Sequence, residues 1–595
     1  MSDLPRWDMT PVFPSFESES YEDAYGWLLT RLADLRETFD KREIRKLEAS
    51  PDIDEVVFAF EDVVERLNDI YELAGKIRAY IHAFVTTDAR DDEAQSRASQ
   101  MSMDTIDLDK LEKRFVAWVG SLDVDALIER SAVAADHEFF VRRCAEQAKH
   151  QMSEVEEDLA SSLSPSGQSA WAKLHGNVSS RLMAEVHMPD GTVQPVPIGA
   201  LPGLLESPDP AVRRSAHEAG MATWPKVEVP LAAALNSIKG WQNELDARRG
   251  WVDSIEPALF NNNVDRATLE AMQQACVESF PDFYRFINAK ANVIGKERLA
   301  WYDFAAPVGE SGRSWNWDET ASFIVEQFGT YSDKLANLAS RAFLERWIDA
   351  EPREGKRGGG FCMRVQYDES RIFVNFTKTF QAVTTVAHEL GHAFHNLNLA
   401  NRTPLQRRTP MALAETASTF CETIVGHALL SGAAAGEKLG LLNGDLIRDM
   451  LIVVSIHSRF LFEKAVYEAR RKRELSPAEL CKAMSDAQLE VFGDAIDPEG
   501  LHPYMWCVSP HYYGTPYYNW PYTFGLLFGQ GLYKRFEDDP DGFRAGYDEL
   551  LSETGTADAA TLCARFDIDV RSVDFWRSSL DVCRSRIDEF VALTG

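Results

Sequence analysis

Residues 386–395 read VAHELGHAFH. His388 and His392 are four apart, so on a helix they stack on one face, a turn from each other. Two imidazoles placed that way can converge on one tetrahedral cation. Glu389 follows the first histidine and can reach a water beside that cation without ligating it. The set suits metal-assisted hydrolysis, with two nitrogen ligands and a carboxylate that takes a proton from the attacking water.

This is the HExxH arrangement of zinc peptidases. A catalytic zinc needs a third protein ligand. His395 continues the face but lies about 10 Å along the axis from His388. The metzincin pattern, Gly and then His three residues on, is absent, since those positions hold His395 and Asn398. His395 is therefore read as a packing or supporting residue. Glu415 is the better third ligand. It sits in PMALAETASTFCETIVG, a helix expected after Pro410. The 22 residues between His392 and Glu415 suffice to turn and run a second helix antiparallel past the first. Glu422 is two helical turns further on roughly the same face, where it could support a ligand histidine through its second ring nitrogen. The bland alternative for both glutamates is a solvated helix face.

The elements that must position these groups are mostly helical. Tyr21 to Arg45, Asp54 to Val85 and Asp91 to Val119 carry apolar residues at helical spacing. Pro189-Asp190-Gly191 between two strand-like runs reads as a hairpin. Helices resume at Ala211 and run through Arg248; a loop near Asn261-Asn262-Asn263 precedes a helix from Arg266. Val308 to Ser314 reads as a loop. Glu351 to Gly360 is a charged, glycine-rich loop. After it come FCMRV (361–365) and RIFVNF (371–376), strand-like runs around a turn at Asp368-Glu369-Ser370. RIFVNF is read as an edge to which an extended peptide can add beside the metal. A helix is expected from about Phe380. The reading is a mainly α fold with a small sheet beside the HExxH helix.

Composition narrows the function classes. The chain has 595 residues, a net charge of −31 and a pI near 4.9. That sign argues against nucleic-acid binding and against an anionic membrane surface. Hydrophobic residues at 45% exclude wholesale disorder. The start, MSDLPRWDMTPVF, lacks the basic-then-apolar pattern of a secretory signal. No run approaches ~18 apolar residues; the best, Met450 to Phe462, is broken by Ser455, His457, Ser458 and Arg459. Eight scattered cysteines without a CxxC pair read as free thiols in a reducing compartment. The expectation is a cytoplasmic protein.

HELGHAFH followed by ALAETASTFCE resembles the oligoendopeptidase F family, related to thimet oligopeptidase. REGKRGGGFC and RIFVNF resemble that family's glycine-rich loop and edge strand, and SPHYYGTPYYNWPYTFG (509–525) its His/Tyr-rich segment. These landmarks span roughly residues 350 to 525. The resemblance implies a two-lobed helical zincin of gluzincin type enclosing a deep channel. Along the chain it places an N-terminal helical lobe in 1–200, ending in the hairpin, and the catalytic domain in 201–595. It implies one Zn²⁺ per chain on His388, His392 and Glu415, with Glu389 as the base. By the family's spacing, His511, Tyr518 and Tyr522 donate to the oxyanion that peptide hydrolysis builds, in preference to neighbouring Tyr512, Tyr513 and Tyr517. Trp520 stands where relatives often carry a tyrosine. The implied function is endopeptidase cleavage of short unfolded peptides by a monomer or weak homodimer. The alternatives are a helical zinc carboxypeptidase or dipeptidyl carboxypeptidase, and a non-catalytic peptide-binding protein.

Overall fold

Ordinary caps close the apolar-periodic stretches into helices. Ser18 accepts a hydrogen bond from the Tyr21 amide and opens Glu19–Lys41, which buries Tyr21, Leu28, Leu35 and Phe39. Asp52 caps Ile53–Thr87 in the same way. The stretch expected as one helix to Val119 is two, Asp92–Asp104 and Ile106–Val119. They part at Thr105, whose hydroxyl donates to the Met101 carbonyl, a bond that competes with regular helix. The computed structural model describes residues 4–48, 52–309 and 313–595. The loop read at Val308 to Ser314 lies partly outside the described residues.

The chain forms two compact units, and neither is one continuous stretch. The first comprises Met1–Gln151, Arg313–Leu429 and Arg535–Ile568; the second comprises Met152–Gly312, Leu430–Lys534 and Asp569–Gly595. Five strands are named in chain order: β1 (Met183–His187), β2 (Val193–Pro197), β3 (Ile348–Asp349), β4 (Phe361–Gln366) and β5 (Glu369–Phe373).

In the first unit, Phe13, Phe16, Tyr21 and Tyr80 pack edge-to-face at the centre of the N-terminal helices. The same core takes in Val365 of β4. The N-terminal segment is also tied to the sheet region: Asp8 N donates to Arg346 O, Ala350 N to Pro5 O, and Arg371 Nε to Asp8 O. The sheet has the order β3–β5–β4, with β3 parallel and β4 antiparallel to β5. This corrects the edge assignment. RIFVNF begins in the central strand, and FCMRVQ is the edge strand. The turn also shifts: Gln366 pairs with Glu369, so Tyr367-Asp368 turn the chain and β5 already starts at Glu369.

The second unit contains the β1–β2 hairpin, turned at Gly191 with φ +82°. Its helices include Pro210–Thr223, Glu228–Arg248 and Arg266–Val293. The apolar run from Met450 continues Ala435–Met450 through a π-helical turn, Leu451–Ser455, into Ile456–Arg470. Among the described residues, no helix is long and apolar enough to cross a membrane. All eight cysteines are free. The His/Tyr segment forms short helical turns, Met505–Val508 and Pro510–Tyr513, before the helix Trp520–Asp538.

Candidate metal centre

The HExxH sequence lies on the helix Phe380–Asn398, opened by Thr379, whose side chain accepts from the Ala382 amide. Val383, Val386, Ala387, Leu390 and Phe394 anchor its inner face. The glutamate-bearing segment arrives as a short helix, Met411–Ala414, and a longer one, Thr416–Gly432, with Glu415 at the joint between them. Gly391 lets the two backbones meet. A Cβ at 391 would lie 2.6 Å from the Ala417 carbonyl oxygen and 2.6 Å from Ser418 Cα. The glycine of HELGH is therefore a packing requirement that brings Glu415 to the histidines.

The outcome is a tight cluster. Glu415 Oε2 lies 3.2 Å from His388 Nε2 and 3.4 Å from His392 Nε2. The two rings are nearly perpendicular, at 83°. Donor atoms of His388, His392 and Glu415 all lie within 4.8 Å of one another. A tetrahedral zinc site with the usual bond lengths has ligand–ligand edges of about 3.3–3.5 Å, so the measured separations fit three ligands of one cation. The three side chains keep 27%, 23% and 22% exposure, which leaves an open side for a fourth position, as catalytic zinc sites need.

Electrostatics agree with that donor set. Burial pushes His392 down to about 4, so it is neutral and able to ligate. Burial works against ionisation of Glu415, but its hydrogen bond with His388 and the closeness of the His392 and His388 rings hold it at about 2. Ser418 adds a hydrogen bond of 2.7 Å to Glu415 Oε2. His388 Nδ1 donates to Glu422 Oε2 at 3.1 Å, which leaves Nε2, on the Glu415 side, as the ring nitrogen able to ligate a cation.

Glu389 occupies a different environment. It is buried, and its Oε2 has no hydrogen-bond partner among the described residues. Burial first, and the Glu415 charge with it, raises its carboxyl to about 7 despite His388. A buried carboxylate oxygen without a partner, next to three metal-type donors, is able to accept a proton. The glycine-rich loop makes room for it: a Cβ at Gly360 would come within 3.1 Å of Glu389 Oε1. That loop is pinned by its own charges. Lys356 Nζ bonds Asp349 Oδ1 and the Val374 carbonyl, Arg353 pairs with Asp349, and Asn375 Nδ2 donates to the carbonyls of Arg357 and Gly359.

His395 is buried away from the cluster, with Nε2 2.8 Å from Thr554 Oγ1. The roles of Gly391, Gly360 and Ser418 were missed from sequence. Only Ser418, three residues after Glu415 at a helix start, carried a local signal.

His511, Tyr518 and Tyr522 lie in the second unit and form a cluster of their own. The Tyr522 hydroxyl donates to the Tyr518 hydroxyl at 3.0 Å, and the His511 and Tyr518 rings are 4.6 Å apart. His511 Nδ1 engages Asn519 Oδ1 at 3.0 Å. The neighbouring Tyr512 and Tyr513 are buried, and burial pushes both hydroxyls up.

Comparison with known proteins decides the family. The model of Peptidase family M3 matches residues 203–582, and that of Oligopeptidase F matches 121–183. The chain belongs to peptidase family M3. Among its M3 relatives, a plasmid-encoded oligoendopeptidase F of Lactococcus lactis subsp. cremoris is 23% identical, over 99% of this chain and 97% of the relative. Group B oligopeptidase PepB of Streptococcus agalactiae is 21% identical over 99% and 97%. The fold is similar to that of oligoendopeptidase F from Enterococcus faecium, with a TM-score of 0.71 at 16% identity, over 97% and 99% of the two chains. The mainly α, two-unit architecture is thus that of an M3 metallopeptidase.

Proposed function

We propose that this M3 peptidase is a zinc-dependent oligoendopeptidase that cleaves internal bonds of short unfolded peptides. The observation that carries the reading is the His388–His392–Glu415 triangle with the partnerless Glu389 oxygen beside it. His388, His392 and Glu415 are the residues that hold one Zn²⁺. The ion, when bound, lowers the pKa of a water and polarises the scissile carbonyl. Glu389 takes the proton of the attacking water and delivers it to the leaving amine. His511, Tyr518 and Tyr522 offer neutral donors to the oxygen that becomes negative in the transition state. Glu422 keeps His388 oriented.

The relatives' names and their nearly full-length matches support the oligopeptide substrate class. The separate matches at 121–183 and 203–582 support a sequence boundary near residue 200 between an N-terminal region and the catalytic region. Eight free cysteines and the net charge of −31 support a cytoplasmic protein with no nucleic-acid or membrane partner; the proposed state is a monomer or weak homodimer. The deciding experiment digests a peptide blocked at both ends, with and without chelator. Chelator-sensitive internal cleavage is expected. Cleavage restricted to peptides with a free C-terminus would instead identify a carboxypeptidase, and no cleavage a binding protein.

A further inference from the structure

Tyr517 has φ +50°, in the left-handed region where a bulky side chain is a steric outlier. It is buried, at 3% exposure, and it immediately precedes Tyr518. Such strain persists only where the surroundings over-determine it, and here the restraints are visible. The Tyr517 amide donates to Glu463 Oε1 at 3.1 Å. That same oxygen accepts from Lys239 Nζ at 2.6 Å, in an ion pair whose side chains are 1% and 3% exposed. Lys239 also lies over the Tyr467 ring, which stacks on the Tyr517 ring at 5.4 Å. At the far end, the Tyr517 hydroxyl meets Ser254 Oγ at 2.9 Å. The helix Ile456–Arg470 holds both backbone and ring face, through Glu463 and Tyr467, and Ser254 holds the hydroxyl.

Lys239 Nζ also donates to the buried Tyr467 hydroxyl at 3.3 Å, and a buried ion pair is weak evidence for stability. What the pair does supply is a fixed acceptor for one amide, at the residue whose backbone direction sets where the next side chain points. We propose that Glu463, held by Lys239, is a positioning residue that locks the left-handed turn at Tyr517 and thereby aims the Tyr518 hydroxyl. This rests on the reading of Tyr518 as an oxyanion donor.

The test uses the full chain and combines Lys239→Met with each Glu463 substitution, so that neither double variant keeps a lone buried charge. Glu463→Gln keeps an oxygen for the Tyr517 amide, whereas Glu463→Leu removes it. With a quenched-fluorescent peptide blocked at both ends, Glu463→Leu should lower kcat at least tenfold with KM within about twofold. The Glu463→Gln form should stay within about twofold of the wild type. In a Tyr518→Phe background the Gln/Leu difference should vanish, because the step acts through that hydroxyl. Equal kcat for the Gln and Leu forms at equal melting temperature overturns the proposal, as does an undiminished difference in Tyr518→Phe. If the Leu form fails to fold, Ser254→Ala replaces it. It releases only the ring end and should lower kcat about threefold, again only when Tyr518 is present; no change in kcat, or the same loss without Tyr518, counts against the proposal. Wild-type kcat in Tyr518→Phe alone overturns the oxyanion reading itself, and this proposal with it.

Discussion

In the first unit, His388, His392 and Glu415 stand on or between regular helices, and their spacing follows from helical geometry plus one glycine contact. In the second unit, His511 and Tyr518 stand on short turns, one of them forced into a left-handed conformation at Tyr517. The first cluster is built by periodicity: four residues along a helix place the two imidazoles, and Gly391 lets the partner helix approach. The second is built by side-chain clamps, Asn519 of the same segment on His511 and the distant Glu463 on Tyr517. Metal ligands demand a fixed polyhedron, which rigid helices provide. Donors to a transient charge need one direction each, which an irregular segment can provide if it is held.

This contrast can be broken or sharpened by substitution. The largest effect is expected at Glu389. Glu389→Gln keeps the shape of the side chain but not the base, so kcat should fall by about 10³-fold or more while metal content stays at the wild-type level. Near-normal turnover would remove the base from the first cluster. Tyr518→Phe should lower kcat by about 10²-fold with metal content and KM little changed; loss of metal in that variant would mean that the two clusters are not separable as drawn. Glu422→Gln weakens the partner of His388 Nδ1, and metal affinity should drop about 10- to 100-fold, read by competition with a chelator. Gly391→Ala is the mildest. Its new methyl meets backbone, which has to move, so a loss of about 1–3 kcal/mol is expected, measured as a lower melting temperature together with faster metal loss. An unchanged melting temperature would show that the helices do not need that close approach.

The same physical difference explains what could be read along the chain. HELGH was legible because helical spacing alone places His388 and His392 together; Glu415 was legible from its helical context after Pro410, although the chain breaks there into Met411–Ala414 and Thr416–Gly432 with Glu415 at the joint. Gly391 and Gly360 were not legible, since the atoms they leave room for belong to residues 417–418 and to Glu389, and only the tertiary structure brings these together. RIFVNF reads as an edge in sequence because its partner strand on the far side, Ile348–Asp349, is two residues long and carries no pattern. His395 showed no partner in sequence because Thr554 is 159 positions away. The N-terminal helices followed from apolar spacing, yet the break at Thr105 did not, as the apolar pattern runs through it. Tyr517 gave no sign of its strain, because nothing in the type of a tyrosine announces a positive φ.

The most direct test of the central claim is metal analysis of purified Glu415→Ala after exhaustive dialysis, beside the wild type and Glu422→Ala. Zinc at about one equivalent per chain is expected in the wild type, most of it retained in Glu422→Ala and nearly none in Glu415→Ala. Equal zinc in Glu415→Ala and the wild type would contradict the assignment of Glu415, and with it the centre formed by His388, His392 and Glu415.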